Sequence, residues 1–153
     1  MKNHTGHMVW KKLAWMSGLS FIAMYILMYM MVDVLGNVIP SVNQFYMAGA
    51  MTAAMILIEV LVMGSMYESG RTKTLVLASS TVLLALFIFL TRTQIGITER
   101  DFLRSMIPHH AGAILMCKNG NLQDPQIIEL CQGITSGQQR EIDFMKEKLD
   151  VGR

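Results

Sequence analysis

Charge is scarce in this sequence. Asp, Glu, Lys and Arg make up 16% of 153 residues, against roughly 25% in an ordinary soluble domain. The net charge is only +2. No basic run and no aromatic-interleaved basic patch is present, which leaves nucleic-acid binding without support. Cysteine is rare as well: Cys117 and Cys131 stand too far apart for a CxxC pair, which speaks against a zinc finger or a thioredoxin-like site. The chain has no His-Glu-x-x-His of a zinc protease, no Glu-x-x-His pairs of a di-iron bundle, no phosphate loop and no nucleophile–base motif. These absences predict a protein that is not an enzyme.

What the chain has instead is apolar sequence, 52% of all residues, concentrated before about Leu90. Three long stretches stand out, from about Leu13 to Val34, Phe45 to Met66 and Leu75 to Leu90. A membrane-crossing helix needs roughly 17–25 such residues; the first two qualify, and the third does so if Thr91 to Ile95 extend it. The first is too long and too rich in Met and Tyr for a signal peptide, and a turn at Gly36, Asn37 and Pro40 follows it rather than a cleavage site. Lys2, Lys11, Lys12, Arg71 and Lys73 flank one side of the spans, whereas Arg92, Arg100 and Arg104 flank the other. The positive-inside rule then places the N-terminus in the cytoplasm. In a bacterial inner membrane the C-terminal part would face the periplasm.

The 15 methionines are the compositional outlier. Most serve as flexible filling for apolar helices, but the second span sets Met47, Met51, Met55, Glu59 and Met63 at steps of four, which places them on one face. An ionisable group such as Glu59 is costly in lipid; Ser79, Ser80 and Thr81 of the third span are its expected partners. Gly49, Ala50, Ala53 and Ala54 form a small surface that lets a neighbouring helix approach closely.

Beyond Leu90 the composition becomes that of a soluble protein. Thr98 reads as an N-cap with Glu99 and Asp101 in the first turn, and the helix it opens runs to about Lys118, with a kink or restart expected at Pro108. Asn119-Gly120-Asn121 ends it, and Asp124-Pro125 opens a second helix to about Leu149. A short loop makes the pair antiparallel. Met106, His110, Ala113 and Cys117 share one face of the first helix, with His109 and Met116 on its shoulder. Cys131, Ile134, Gln138, Ile142, Met145 and Leu149 share one face of the second. A fold at Leu122 would bring Met106 level with Gln138, and His109 and His110 level with Ile134 and Thr135. The chain is thus read as all-α, three transmembrane helices (1–94) followed by a soluble antiparallel hairpin (95–153). Two helices alone cannot bury a self-sufficient core, so the hairpin is expected to pair with a second copy or with the membrane part.

Imidazole and thioether groups without a carboxylate cluster suit copper, above all Cu(I). The stretches Met106-Ile107-Pro108-His109-His110, Gly112-Ala113-Ile114, Met116, Asp124-Pro125, Gln138, Glu141-Ile142 and Met145 resemble the domain of unknown function 305 family, which includes the CopM-like periplasmic copper-binding proteins. The resemblance covers Asp101 to Leu149. It implies a ferritin-like helical half-bundle and copper ligation by Met106, His109, His110, Met116 and Met145, with Gln138 and Glu141 as a polar seam beside them. Where the family has small residues, this chain has Cys117 and Cys131, which could ligate copper, form a disulfide in an oxidising compartment or simply pack as small hydrophobes.

The expected function is capture of copper by a membrane-anchored hairpin, for copper homeostasis or tolerance. Its expected partners are the lipid bilayer, a second copy of the hairpin and a protein that donates or accepts copper. Two alternatives stand beside it. Three spans with Met47 and Met51, or Met51 and Met55, in the second resemble in architecture the Ctr family of copper uptake channels, and with Glu59 these would line a transport path. The other alternative is a non-metal accessory subunit of a membrane complex.

Overall fold

The computed structural model describes residues 2–67 and 70–151, with side chains from 8 to 150 within those ranges. Five helices follow one another: α1 Lys2–Leu27, α2 Val42–Val62, α3 Gly70–Thr93, α4 Glu99–Asn119 and α5 Pro125–Val151. Short 3₁₀ turns at Met28–Met31, Leu35–Asn37 and Gly64–Met66 interrupt the connections. The protein is all-α, and three helical stretches, Met8–Met31, Val42–Val62 and Gly70–Thr93, are long and apolar enough to cross a membrane. The third reaches this length because Thr91 and Thr93 stay helical, their hydroxyls donating to the carbonyls of Phe87 and Phe89 at 2.8 Å each. The first apolar stretch leaves α-helical geometry at Leu27, earlier than its hydropathy suggested.

The chain divides into two compact units. One comprises residues 1–27 and 45–96, the other residues 28–44 and 97–153. In the first unit Leu13, Val60 and Tyr67 are buried together, with Val9, Trp10, Met16, Ile56, Val76 and Leu77 against them. Rings of Phe21, Phe45 and Phe87 meet edge to face, with centroids 5.2 and 6.4 Å apart. The small surface expected on α2 is where the Phe87 ring lies: a Cβ at Gly49 would come within 2.6 Å of it. Ala48, Gly49, Thr52 and Ala53 are all buried there.

The second unit is built on a core of Ile107, Ala111 and Ile114 from α4 with Ile142 and Met145 from α5. Val32 and Ile39, from the connector between α1 and α2, pack against the same core. That connector was read from sequence as part of the membrane domain; here it lies against α4. Asn43 donates to Ser105 at 3.2 Å, and Lys118 stands 3.8 Å from the buried Asp33 carboxylate, which also accepts from Asn37 at 2.7 Å. The Met31 carbonyl reaches to 3.6 Å from the position a Cβ would take on Gly112.

Helix boundaries follow local chemistry. Thr98 and Asp101 form a capping box, each accepting the other's backbone N–H at 3.2 Å, which satisfies two donors that a bare helix start would leave open. Gly120 closes α4: its N–H donates to the Met116 carbonyl at 2.9 Å, and a Cβ there would sit 2.9 Å from that same oxygen. Asp124 accepts from the Gln126 N–H at 2.8 Å and launches α5 at Pro125. The restart expected at Pro108 does not occur. α4 runs through it unbroken, with Ile107, Pro108, Ala111, Gly112 and Ile114 all buried. An interior proline costs about 3 kcal/mol, and burying two isoleucines at about 1.5–3 kcal/mol each offsets it.

Candidate functional site

The pairing of α4 with α5 sets the register of every sequence-predicted ligand. Cys117 and Cys131 are joined in a disulfide, their Cα atoms 5.3 Å apart. Of the three roles left open for these thiols, the structure shows this one. The bond levels Cys117 with Cys131, so the hairpin pivots near Asp124 rather than Leu122. Each residue of α4 therefore faces α5 about a turn further along than expected: His110 meets Glu141 instead of Ile134 and Thr135.

His110 is the most constrained of the candidates. Its Nδ1 lies 3.0 Å from Glu141 Oε2, yet the two are not aligned as a hydrogen bond, and Nδ1 is buried without a hydrogen-bond partner. Burial holds the imidazole below its ordinary pKa; the Glu141 carboxylate opposes this shift and neighbouring His109 adds to it. Glu141 itself remains largely exposed, whereas Gln138 is half-buried one turn before it.

Met106 precedes His110 by one helical turn and packs against the core that contains Met145, which is itself buried and follows Glu141 by one turn. The structure thus gathers Met106, His110 and Met145 in one neighbourhood. It leaves His109 exposed, with its ring centroid 6.0 Å from that of His110. Met116 is 57% exposed and a turn and a half beyond His110, apart from the other two methionines. Among the described residues no three His, Cys, Asp or Glu side chains converge as a metal cluster. Thioether sulfur and a neutral imidazole are soft or borderline donors, which favour Cu(I) over hard cations.

The membrane-span candidates are arranged differently. Met47 and Met51 are 46% and 44% exposed, and Met55 is half-buried. Glu59 does not meet the hydroxyls of α3. Ser79 and Thr81 donate to their own helix at the Val76 and Leu77 carbonyls. Glu59 accepts from the Tyr67 hydroxyl at 3.5 Å, and the Tyr67 ring stacks against Trp10 at 4.6 Å.

Two features escaped sequence reasoning: the connector's place against α4 and the Tyr67–Glu59 contact. Asp33, a lone charge closing an apolar run, was the available signal for the first. Ala111 is completely buried in the core, which accounts for a small residue directly after the His pair.

Comparison with known proteins adds two findings. Residues 87–149 match the family model described as a domain of unknown function, DUF305. An uncharacterized protein of Acanthamoeba polyphaga mimivirus is 34% identical over 134 residues, covering 86% of each chain. That stretch is longer than the whole second unit, so the likeness takes in membrane-span sequence as well. No solved structure matches. With the His-bearing α4 and its partner α5 inside the matched segment, the chain belongs to the domain of unknown function 305 family.

Proposed function

We propose that the protein captures copper, as Cu(I), on the α4–α5 hairpin and that the three spans hold this hairpin at a membrane surface. The observation that carries the reading is His110, whose buried Nδ1 lies 3.0 Å from Glu141 Oε2 but out of line for a hydrogen bond. A buried polar atom so incompletely satisfied is costly, and an ion or a water would complete its surroundings. Met106 and Met145 supply thioethers in the same neighbourhood, and the lowered pKa of His110 favours the neutral imidazole, which has one ring nitrogen able to bind a metal. Exposed His109 and Met116 are placed to meet the ion first and pass it inward. Glu141, beside His110, orients the ring and balances the charge of the cargo.

The disulfide supports an oxidising compartment for the hairpin, and the positive flank before α1 supports a cytoplasmic N-terminus. The connector follows one crossing and the hairpin follows three, so both emerge on the same side; their packing into one unit agrees with this. A bacterial inner membrane with its periplasm is a setting of this kind. The exposed apolar side chains Ile127, Leu130 and Phe144 on α5 suit pairing with a second hairpin, and a copper-donating or copper-accepting protein completes the route. The exposure of Met47 and Met51 gives no support to a Met-lined transport path.

The test is a Cu(I) titration of the full chain in detergent against a colorimetric chelator, beside His109→Ala/His110→Ala. The parent is expected to compete for Cu(I), and the variant to lose at least tenfold in affinity. Equal binding by the two would refute the ligand assignment.

A further inference from the structure

The Cys117–Cys131 bond lies at the loop end of the hairpin, away from Met106 and His110, and lines an open groove of about 680 Å³. Gln132, Thr135, Ser136 and Gln139 form its polar wall, Lys118 brings a positive charge, and no carboxylate lines it. Both cysteines are half-buried rather than sealed in the core. The core residues Ile107, Ile114, Ile142 and Met145 sit further along the helices, so opening the bond leaves them packed. An accessible disulfide of this kind is open to thiol exchange, in contrast to one buried in a core.

The geometry points to a second, redox-gated site: when reduced, Cys117 and Cys131 form a dithiol that binds one Cu(I) between the two helices. This rests on the copper reading for the identity of the metal, but not on His109 or His110 as ligands. The two sulfurs project toward each other from facing helices whose Cα atoms are 5.3 Å apart, so an ion entering between them needs no new backbone arrangement. Soft thiolates select Cu(I).

The chemistry balances with a protein or small-molecule dithiol as reductant. One reductant thiolate attacks a cysteine sulfur, the Cys117–Cys131 bond breaks, and a mixed disulfide forms. The second reductant thiolate resolves it, so the reductant leaves as its own disulfide and the two cysteines take up two protons. Binding of Cu(I) then releases those two protons and makes two S–Cu bonds. The oxidised hairpin holds copper only through Met and His; the reduced one holds an additional ion. The disulfide thus sets capacity according to the reducing power of the compartment.

The full chain in detergent would be reduced with dithiothreitol without oxygen, freed of reductant by gel filtration and titrated with Cu(I) beside the oxidised chain. The reduced parent is expected to bind one more Cu(I) per chain, with a new near-ultraviolet thiolate-to-copper absorption. Cys117→Ser/Cys131→Ser should show one stoichiometry under both conditions. His109→Ala/His110→Ala should keep the extra equivalent, so loss of the His-dependent site and loss of this one are read separately. Equal stoichiometry for the reduced and oxidised parent, an extra equivalent that survives in the Ser variant, or a bond that stays closed to dithiothreitol in the folded chain would each overturn the proposal.

Discussion

The two units of this protein differ in how most of their polar side chains are satisfied, although Ser105 and Ser136 of the hairpin also donate to their own helix and Thr52 and Tyr67 of the span unit reach Met24 and Glu59. In the span unit, Ser17, Thr74, Ser79, Thr81, Thr91 and Thr93 all donate to carbonyls three or four residues back on their own helix. In the hairpin unit, Asn43 reaches Ser105, Lys118 reaches Asp33 and His110 reaches Glu141 across distant parts of the chain. Apolar groups show the same contrast. Leu19, Ile58, Leu75 and Val82 of the spans are all more than 60% exposed, whereas Ile107, Ile114 and Ile142 of the hairpin are fully buried in one core. A lipid surroundings accepts apolar side chains on every face but no open hydrogen-bonding group; water reverses both demands. The exposed apolar faces of the first unit suit lipid, and the second unit, folded round an apolar core, suits water.

Disturbing each unit's own packing sharpens this contrast. The largest expected effect is Ile107→Ala. It empties the centre of the hairpin core and should destabilise that unit by about 2–5 kcal/mol, seen as faster amide exchange throughout α4 and α5 with the exchange of α2 and α3 unchanged. Equal loosening of both units would show that they unfold together. Gly49→Leu should act the other way round. It drives a side chain into the Phe87 ring and should cost about 1–3 kcal/mol by overpacking, lowering the thermal stability of the detergent-solubilised chain while amide exchange in α4 stays as it was.

The smallest effect is in pH. The folded chain holds His110 below its usual pKa, so the unfolded chain takes up this proton first. Stability then falls as the pH drops through about 6.5 and levels off below the folded value. Thermal unfolding of the copper-free chain from pH 7.5 to 5 should show this decline, and His110→Gln should flatten it. A parent whose stability rises toward pH 5 would mean that the Glu141 carboxylate outweighs burial.

Much of the architecture is legible from residues close together in the chain. Thr98 with Asp101, Asn119-Gly120 and Asp124-Pro125 mark the ends of α4 and α5 because capping is a contact within one turn. Gly49 and Ala53 mark the face that α3 approaches. The candidate site is legible in its members but not in its grouping. Met106, His110 and Met145 come together, whereas Met116 and His109 stand apart, because the register between two helices, which the Cys117–Cys131 bond fixes here, is not a pattern within either one.

Composition and periodicity by themselves determined the class of this protein: three apolar helices followed by a polar helical hairpin. These are properties of single helices, decided by which neighbours within four residues share a face and by how much of each helix water will tolerate. Only the tertiary structure decided that residues 28–44 cover α4, that Tyr67 rather than a span hydroxyl meets Glu59, that Cys117 bonds Cys131, and that the buried His110 Nδ1 lies beside Glu141. Each of these joins segments that hydropathy reads as separate. Contacts between distant segments depend on the path of the whole chain, which local pattern does not encode.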